Sequence, residues 1–274
     1  MADCDFSSEH ALMHVVIFTG GDFPLPQMTC RYWEHRPVDC VIAADSGFDT
    51  AKKFIEYFSH NDAIDFLPDV ILGDFDSIAD KNALASYGNI VEPFDSAKDF
   101  TDTELALFRA YELAREQGRE PFITLVGGCG GRIDHTLALY DSFASACRAH
   151  VWLTPQQAVY FLAAGKTARV ACLEKHDIVS VARTTESRYG GTLFSCGLHW
   201  EHFRSCGMPS ISNCVSDEFD KSGEATVRAE CMASCGAEKI ASPKDAYGTQ
   251  AVSITAHDAP FLLIVPLGAE VGII

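Results

Sequence analysis

The feature that most constrains the fold is a strand–loop–helix pattern that repeats through the first half of the chain. Four short apolar runs, at residues 14–18, 40–44, 70–72 and 122–126, each end at a turn containing glycine or aspartate. Helical stretches follow several of these turns, and such crossovers favour parallel strands in one sheet. The sequence therefore predicts an α/β layer: a Rossmann-like, mostly parallel sheet with helices on both faces.

Three helices are predicted in this half of the chain. The first covers about residues 48–58. The second begins near Thr101, because Thr101 and Glu104 have the spacing of a capping box, and it ends before Gly118. The third covers about residues 134–147. Its apolar face is predicted to contain Leu137, Tyr140 and Ala144.

The character of the sequence changes near Pro155. Beyond it, short alternating segments are separated by glycine, serine and proline, a pattern typical of a small antiparallel sandwich or barrel. We therefore predict two domains, an α/β domain over residues 1–155 and an all-β domain over residues 156–274. The strand candidates of the second domain are residues 159–162, 168–173, 178–182, 226–229, 252–255 and 261–265.

Charge and composition exclude several classes of protein. The formal net charge of −17 argues against nucleic acid as a partner, and it is compatible either with solubility alone or with the handling of cations. The eleven cysteines form no metal-ligand or disulfide framework, and no basic-then-apolar export signal opens the chain. The longest apolar stretch, residues 261–265, is too short to span a membrane. We expect a cytoplasmic protein with reduced thiols and no membrane partner.

Candidate functional residues cluster in the loops that follow the predicted strands. Ligands of doubly wound sheets bind beyond the carboxyl ends of the strands, so a site is expected in these loops. One aspartate in a turn usually caps a helix or forms an Asx-turn, whereas several in the loops of one sheet indicate a shared role. The candidates are Asp45, Asp74, Asp76, Asp99 and Asp102.

Asp74 and Asp76 are the most informative pair. In an extended backbone, residues i and i+2 point to the same side, so both carboxylates can face one hard cation. Mg²⁺ prefers oxygen ligands and commonly takes one or two carboxylates, with water and phosphate completing its shell. Asp102 falls in the first turn of a predicted helix, where an anion either stabilises the helix end or lies beside a bound phosphate.

The loop from Gly127 to Arg132 has the composition of a phosphate-binding turn. Glycines let backbone N–H groups approach a phosphate, the next helix begins with partial positive charge, and Arg132 supplies a planar set of donors. Glycine-rich loops are also common tight turns, so the loop alone is not diagnostic. A Walker loop is excluded, because residues 165–167 (Gly-Lys-Thr) resemble its end but its first glycine would fall at Tyr160.

Four motifs follow one another in the first half of the chain. They read Asp45-Ser46-Gly47, Pro68-Asp69 followed by Gly73-Asp74-Phe75-Asp76-Ser77, Lys98-Asp99-Phe100-Thr101-Asp102, and Gly127-Gly128-Cys129-Gly130-Gly131-Arg132-Ile133-Asp134-His135. Their order and spacing resemble those of the thiamine pyrophosphokinase family, over about residues 40–145. The third motif is similar to the form found in the bacterial branch of that family.

The second half resembles the same family more loosely. The family carries Thr-Gly-Leu-Lys before an aromatic residue and, later, Ser-Asn; this chain has Cys196-Gly197-Leu198-His199-Trp200 and Ser212-Asn213. The resemblance implies a homodimer in which thiamine is held between the α/β domain of one subunit and the β-domain of the other. Trp200 offers a face for cation–π contact with the thiazolium ring, or it is a core residue.

The resemblance also implies a role for each candidate residue in a Mg²⁺-dependent enzyme that uses ATP and thiamine. The implied Mg²⁺ ligands are Asp45, Asp74, Asp76 and Asp102, and the implied catalytic set is Asp74, Asp76, Asp102 and Arg132. ATP is implied to contact Lys98, Asp99, Thr101, Gly127, Gly128, Arg132, Asp134 and His135. Thiamine is implied to contact Asp45, Trp200, Ser212 and Asn213.

The implied reaction transfers diphosphate from ATP to the hydroxyl of thiamine and yields thiamine diphosphate and AMP. Three alternatives stay open on the sequence alone. The same chemistry could act on another alcohol such as a hydroxymethylpterin, because the match at residues 196–200 is imperfect. An Asp-x-Asp phosphatase would use Asp74 as the nucleophile and Asp76 as the acid/base, although Ile78 departs from that motif. A regulatory module could bind the nucleotide without turning it over.

Overall fold

The fold is mixed α/β and divides into two compact units, residues 1–161 and 162–274. The computed structural model describes residues 12–34, 36–59, 65–79, 81–97, 99–174, 176–185, 191–199, 203–204, 213–215 and 252–274. Three predicted site residues, Lys98, Trp200 and Ser212, lie outside these ranges, as does the predicted strand at residues 226–229.

The first unit is built on strands that pair in parallel, with one exception. In spatial order the sheet runs β7–β6–β5–β1–β2–β3–β4, and only the β6–β7 pair is antiparallel. The parallel pairing predicted from the strand–loop–helix pattern is therefore confirmed. The strands are β1 Leu12–Phe18, β2 Cys40–Ala44, β3 Val70–Gly73, β4 Val91–Pro93, β5 Glu120–Val126, β6 Val151–Leu153 and β7 Gln157–Leu162.

Four α-helices accompany this sheet: α1 Cys30–Trp33, α2 Gly47–Phe58, α3 Asp102–Glu116 and α4 Ile133–Ser142. Short 3-10 helices cover Pro26–Thr29 and Lys81–Ile90. The start of α3 is the predicted capping box, because the Thr101 side chain accepts from the Glu104 N–H at 3.2 Å and the Glu104 carboxylate accepts from the Thr101 N–H at 2.8 Å. Gly118 follows the helix with φ +65°, the left-handed conformation that ends many helices.

The last helix differs from its prediction in length and in orientation. It ends at Ser142 rather than near residue 147, and Leu137, assigned to its apolar face, is 59% exposed. The buried leucine is Leu139, whose side chain packs over Gly128 of the preceding loop. Packing against that loop decides which face of α4 is buried, and helical periodicity does not contain this information.

The core of the first unit is mainly aromatic on one side of the sheet. Phe18, Phe54 and Phe66 form mutual ring contacts with centroid separations of 5.0–5.7 Å, and Trp33 lies 5.1 Å from Phe66. All four are at most 1% exposed. Burying an aromatic side chain contributes about 2–3 kcal/mol, so this cluster helps to hold β1 and α2 rigidly behind the loops at the carboxyl ends of the strands.

The second unit is all-β in its described part, and the strand pairs found there are antiparallel, as predicted. One group of paired strands has the order β12–β9–β14, and a five-stranded sheet has the order β11–β10–β13–β8–β15. Its strands are β8 Thr167–Ala171, β9 Ile178–Arg183, β10 Thr192–Cys196, β11 Phe203–Arg204, β12 Asn213–Cys214, β13 Val252–Ala256, β14 Phe261–Pro266 and β15 Glu270–Ile273.

None of the helices in the described ranges has the length and apolar character needed to cross a membrane. The seven cysteines found in these ranges are all free thiols.

Candidate functional site

Three carboxylates converge at the carboxyl ends of β2 and β3. Asp45 directly follows β2, and Asp74 and Asp76 lie in the loop after β3. Each of the three offers one oxygen that lies within 4.8 Å of the oxygens offered by the other two. The parallel pairing of β2 with β3 produces this proximity, because it brings both strand ends to the same edge of the sheet. We call these three residues the carboxylate cluster.

Asp45 is the buried member of the carboxylate cluster. It is 9% exposed, its backbone has φ +48°, and its N–H donates to the Leu72 carbonyl at 2.8 Å. Its Oδ2 accepts a hydrogen bond from the Ser77 hydroxyl. Among the described residues, its buried Oδ1 has no hydrogen-bond partner. A buried carboxylate oxygen without a donor is costly, and a hard cation in contact with it would remove that cost.

Asp74 and Asp76 share a side for a different reason from the one predicted. The intervening Phe75 has φ +59°, so the backbone turns here and is not extended. The Asp74 Oδ1 accepts from the Asp76 N–H at 3.3 Å, which closes the turn. The expected proximity of the two carboxylates is found, but the argument from strand alternation was wrong, because the chain has already left β3 at this point.

Asp102 lies beside the carboxylate cluster at the first residue of α3. A Cβ on Gly73 would lie 3.2 Å from the Asp102 Oδ1 and 3.1 Å from the Asp45 Cβ. Gly73 also has φ +141°. Only glycine therefore lets β3 end between these two acidic side chains. The positive end of the helix dipole stabilises the negative charge of Asp102. Asp102 is not one of the three residues whose oxygens all lie within 4.8 Å of one another.

The glycine loop after β5 is bound to the loop after β1. The N–H groups of Gly127, Gly128 and Cys129 donate to the carbonyls of Leu153, Gly20 and Asp22 at 3.1, 2.8 and 3.3 Å. The Asp22 N–H in turn donates to Cys129 at 2.6 Å. The N–H groups of Gly127, Gly128 and Cys129 are therefore already hydrogen-bonded to backbone carbonyls of the protein. Within the part of the chain that the structure describes, the N–H groups of Gly130 and Gly131 donate to no backbone carbonyl.

Arg132 and Asp134 bind each other at the end of this loop. The Arg132 Nε and Nη2 approach the two Asp134 carboxylate oxygens at 3.1 and 2.5 Å, and both side chains are exposed. The hydrogen bond from Arg132 lowers the pKa of Asp134, and the same bond raises the pKa of Arg132. In this arrangement the guanidinium is directed at a carboxylate, so contact with a phosphate requires it to exchange or share that partner. The neighbouring His135 is exposed.

The remaining predicted residues of the first unit are placed as follows. Thr101 is exposed, and its hydroxyl donates to the Glu104 carboxylate at 2.8 Å, so it belongs to the helix cap. Asp99 is exposed in the loop that precedes α3.

In the second unit, the two segments that resemble thiamine-contacting motifs are neighbours. The His199 N–H donates to the Cys214 carbonyl at 2.8 Å, and Leu198 forms an isolated bridge with Val215. Asn213 is fully buried, and its side-chain oxygen accepts from the Cys214 N–H at 3.0 Å. The residues beside Trp200 and Ser212 are thus brought together, although those two residues lie outside the described ranges.

Three residues of the site were missed as individual candidates. Ser77 and Gly73 stand within a quoted motif, but their contacts with Asp45 need β2 and β3 to be paired. Asp22 follows the first Gly-Gly turn, and its carboxylate packs against Gly130. The Gly-Gly-Asp sequence after β1 was the available signal, since it marks a strand-end turn like the others.

A parallel sheet with a carboxylate cluster at its strand ends, and with a glycine loop that leads into a helix, is typical of α/β enzymes that transfer phosphoryl groups. The family model described as "Thiamin pyrophosphokinase, catalytic domain" matches residues 29–152. Residues 29–152 of this chain are therefore similar to the catalytic domain of that family. The resemblance seen in the sequence motifs is confirmed.

Solved structures of low sequence identity share the fold. Thiamine pyrophosphokinase from Bacillus subtilis is 18% identical with a TM-score of 0.57, and the alignment covers 92% of this chain and 98% of that one. A protein from Lactobacillus plantarum is 19% identical with a TM-score of 0.56, and the alignment covers 93% of this chain and 98% of that one. Thiamin pyrophosphokinase from Candida albicans is 14% identical with a TM-score of 0.56, and the alignment covers 93% of this chain and 89% of that one. No curated protein sequence matches this chain.

Proposed function

We propose that this protein transfers a diphosphate group from ATP to the hydroxyl of thiamine, giving thiamine diphosphate and AMP. The observation that carries the proposal is that the candidate site residues lie inside the matched domain. The carboxylate cluster, the start of α3 and the glycine loop all lie within the residues that match the thiamin pyrophosphokinase catalytic domain. The family match gives the reaction, and the geometry supplies acidic ligands at the place where a metal-bound nucleotide is needed.

The carboxylate cluster suits Mg²⁺ by its chemistry. All its donors are carboxylate oxygens, and the buried Oδ1 of Asp45 has no hydrogen-bond donor among the described residues. In this proposal Asp45, Asp74 and Asp76 hold the ion, with Asp102 beside them. A bound Mg²⁺ would neutralise charge on the ATP phosphate oxygens.

A helix N-terminus and basic side chains would position the phosphates of ATP. Helix α4 begins directly after the glycine loop, and its N-terminus favours an anion. We propose that Lys98, Arg132 and the N–H groups of Gly130 and Gly131 contact the triphosphate, with Asp99, Thr101, Asp134 and His135 nearby. Arg132 then releases one oxygen of Asp134, and a phosphate oxygen replaces it.

The proposed chemical step is an in-line displacement at the β-phosphorus of ATP. The thiamine oxygen forms the new bond to that phosphorus, the hydroxyl loses its proton, and the bond to the α,β-bridging oxygen breaks so that AMP leaves. Protein groups mainly orient the two substrates and stabilise charge in such transfers. Asp45 and its neighbours hold the carboxyl-end loops of β2 and β3 in one arrangement, which serves this orienting role.

We propose that the second unit folds as a β-sandwich or barrel and that it completes the thiamine site in a homodimer, at a cytoplasmic location. The contacts between residues 198–199 and 214–215 support this proposal, because these residues adjoin the two segments that resemble the family's thiamine-contact motifs. Mixing an Asp76→Asn variant with an Asn213→Ala variant tests it. If each site combines both subunits, the mixture regains activity that neither variant has alone; additive residual activities would contradict the shared site.

The decisive assay measures AMP formed from ATP and Mg²⁺ in the presence of thiamine. A hydroxymethylpterin and a generic phosphate ester serve as comparison substrates. We expect AMP and thiamine diphosphate in equal amounts with thiamine alone. AMP formation with the pterin only would show that the pterin, and not thiamine, is the acceptor. Phosphate release from the ester without AMP would indicate a phosphatase. No turnover with any alcohol would indicate a regulatory module.

A further inference from the structure

The two carboxylate oxygens of Asp45 have different environments. Oδ2 accepts a hydrogen bond from Ser77, whereas Oδ1 is buried and has no hydrogen-bond partner among the described residues. The side chain is 9% exposed and stands on a left-handed backbone, so it has little freedom to exchange the two oxygens. One oxygen is therefore held by the protein, and the other is left for a cation.

The loop that carries Ser77 is anchored without any ligand. Ile78 is 5% exposed and packs in a hydrophobic cluster with Ala43, Phe48 and Ile71. The Ala79 N–H then donates to the Asp49 carboxylate of α2 at 2.9 Å. These two contacts fix the position of the preceding residue, because they hold the end of the loop against β2, β3 and α2.

We propose that Ser77 is a positioning residue of the metal site, whose hydroxyl orients Asp45 so that Oδ1 faces the cation held with Asp74 and Asp76. This inference rests on the Mg²⁺ dependence of the proposed function and adds a residue to it. The hydroxyl comes from the same loop as Asp74 and Asp76, so one hydrogen bond ties the β2 ligand to the β3 ligands. Partners of this kind typically change metal affinity by about 10- to 100-fold when they are removed.

The test measures Mn²⁺ binding to the full-length protein in the absence of ATP and thiamine. Free Mn²⁺ is titrated by electron paramagnetic resonance for the wild type, Ser77→Ala, Ser77→Thr and Ser86→Ala. The threonine variant keeps the hydroxyl. Ser86 is the matched control, because its hydroxyl also donates one hydrogen bond, to the Ala83 carbonyl at 2.7 Å within the 3-10 helix Lys81–Ile90, and that bond involves no carboxylate of the cluster.

We expect Ser77→Ala to bind Mn²⁺ about 10-fold more weakly, while Ser77→Thr and Ser86→Ala stay near the wild-type value. In turnover assays the alanine variant should need correspondingly more Mn²⁺ and should recover kcat when the ion is saturating. If Ser77→Ala fails to fold, Ser77→Cys gives the same comparison, since a thiol has nearly the same size but donates only weakly.

Wild-type affinity in a folded Ser77→Ala or Ser77→Cys variant would overturn the inference, as would a wild-type protein that binds no Mn²⁺. Failure of the proposed function looks different. In that case the wild type forms no AMP with thiamine, yet the Mn²⁺ affinities still depend on the Ser77 hydroxyl.

Discussion

At the scale of single residues, the candidate site depends on backbone conformations that few side chains adopt. Asp45 and Phe75 have φ values of +48° and +59°, and each such position costs on the order of 1–3 kcal/mol. Both positions serve to direct carboxylates, since Asp45 is turned inward at the end of β2 and Phe75 makes the turn that joins Asp74 to Asp76. Strained positions of this kind cluster at functional sites.

Asp76→Asn should remove most turnover and leave the fold intact. Asp76 is exposed, so its loss removes a metal ligand without opening the core. We expect kcat to fall by roughly 100-fold or more, since charge stabilisation is the main protein contribution to such a transfer. Steady-state AMP formation at saturating Mg²⁺ measures the change.

The matched control for this substitution is Asp65→Asn. Asp65 is also exposed, and its carboxylate accepts from a backbone N–H two residues later, at Leu67, at 2.9 Å. It lies outside the carboxylate cluster. Near-normal turnover in Asp76→Asn would remove Asp76 from the site, and equal losses in both variants would indicate a general charge effect.

At the scale of secondary-structure elements, close contacts between elements explain which glycines the motifs require. Gly47 begins α2, and a Cβ there would lie 2.1 Å from the Phe18 carbonyl oxygen and 2.7 Å from the Thr19 Cα. The helix therefore starts directly against the end of β1. The third position of the Asp45-Ser46-Gly47 motif is a packing requirement, whereas the first supplies a carboxylate.

Gly47→Ala should destabilise the protein by about 3 kcal/mol, because the added methyl group meets backbone atoms that cannot move without separating β1 from α2. Gly88→Ala is the control. Gly88 lies in the 3-10 helix Lys81–Ile90, and apart from its own helix backbone no atom of the described residues is found within 4 Å of the Cβ it would gain. Urea unfolding followed by circular dichroism measures both, and equal midpoints would contradict the packing argument.

At the scale of the whole molecule, a buried polar chain links strands and helix inside the first unit. The Nδ1 of His14 lies 2.8 Å from the Pro37 carbonyl and so must carry the hydrogen. Its Nε2 then accepts from Thr124 at 2.9 Å, and Thr124 accepts from Tyr32 at 2.6 Å. All groups are satisfied only while the imidazole is neutral.

Stability should therefore fall in mild acid. Burial is the main cause that lowers the pKa of His14 from its ordinary 6.5 to about 4, and burial lowers that of His150 to about 4 as well. The unfolded chain binds these protons first as pH decreases. Their contribution is fully present above about pH 6.5 and is lost as pH falls toward 4, by about 3 kcal/mol for each histidine.

Chemical unfolding at several pH values between 4 and 7 measures this dependence. His14→Gln should be less stable at neutral pH and should show a shallower decline in acid, because one of the two titrating groups is gone. An unchanged pH profile in that variant would show that His14 does not titrate in this range.

Much of the first unit was predictable because its signals are local. Residues 40–44, the capping box at Thr101 and the stop at Gly118 depend on short stretches of sequence, and the structure has all three. The parallel order follows from the alternation of strands and helices. The short strands β4 and β6 were missed, since three residues carry too little pattern to identify a strand.

The sequence by itself determined which residue types the site contains and at which strand ends they lie, because motif order and turn chemistry are encoded locally. Tertiary structure alone decided how they are used. Pairing of β2 with β3 places the Ser77 hydroxyl on Asp45, and the loop after β1 accepts hydrogen bonds from two N–H groups of the glycine loop. Packing over Gly128 decides that α4 buries Leu139. These contacts join residues far apart in sequence, so no local pattern specifies them.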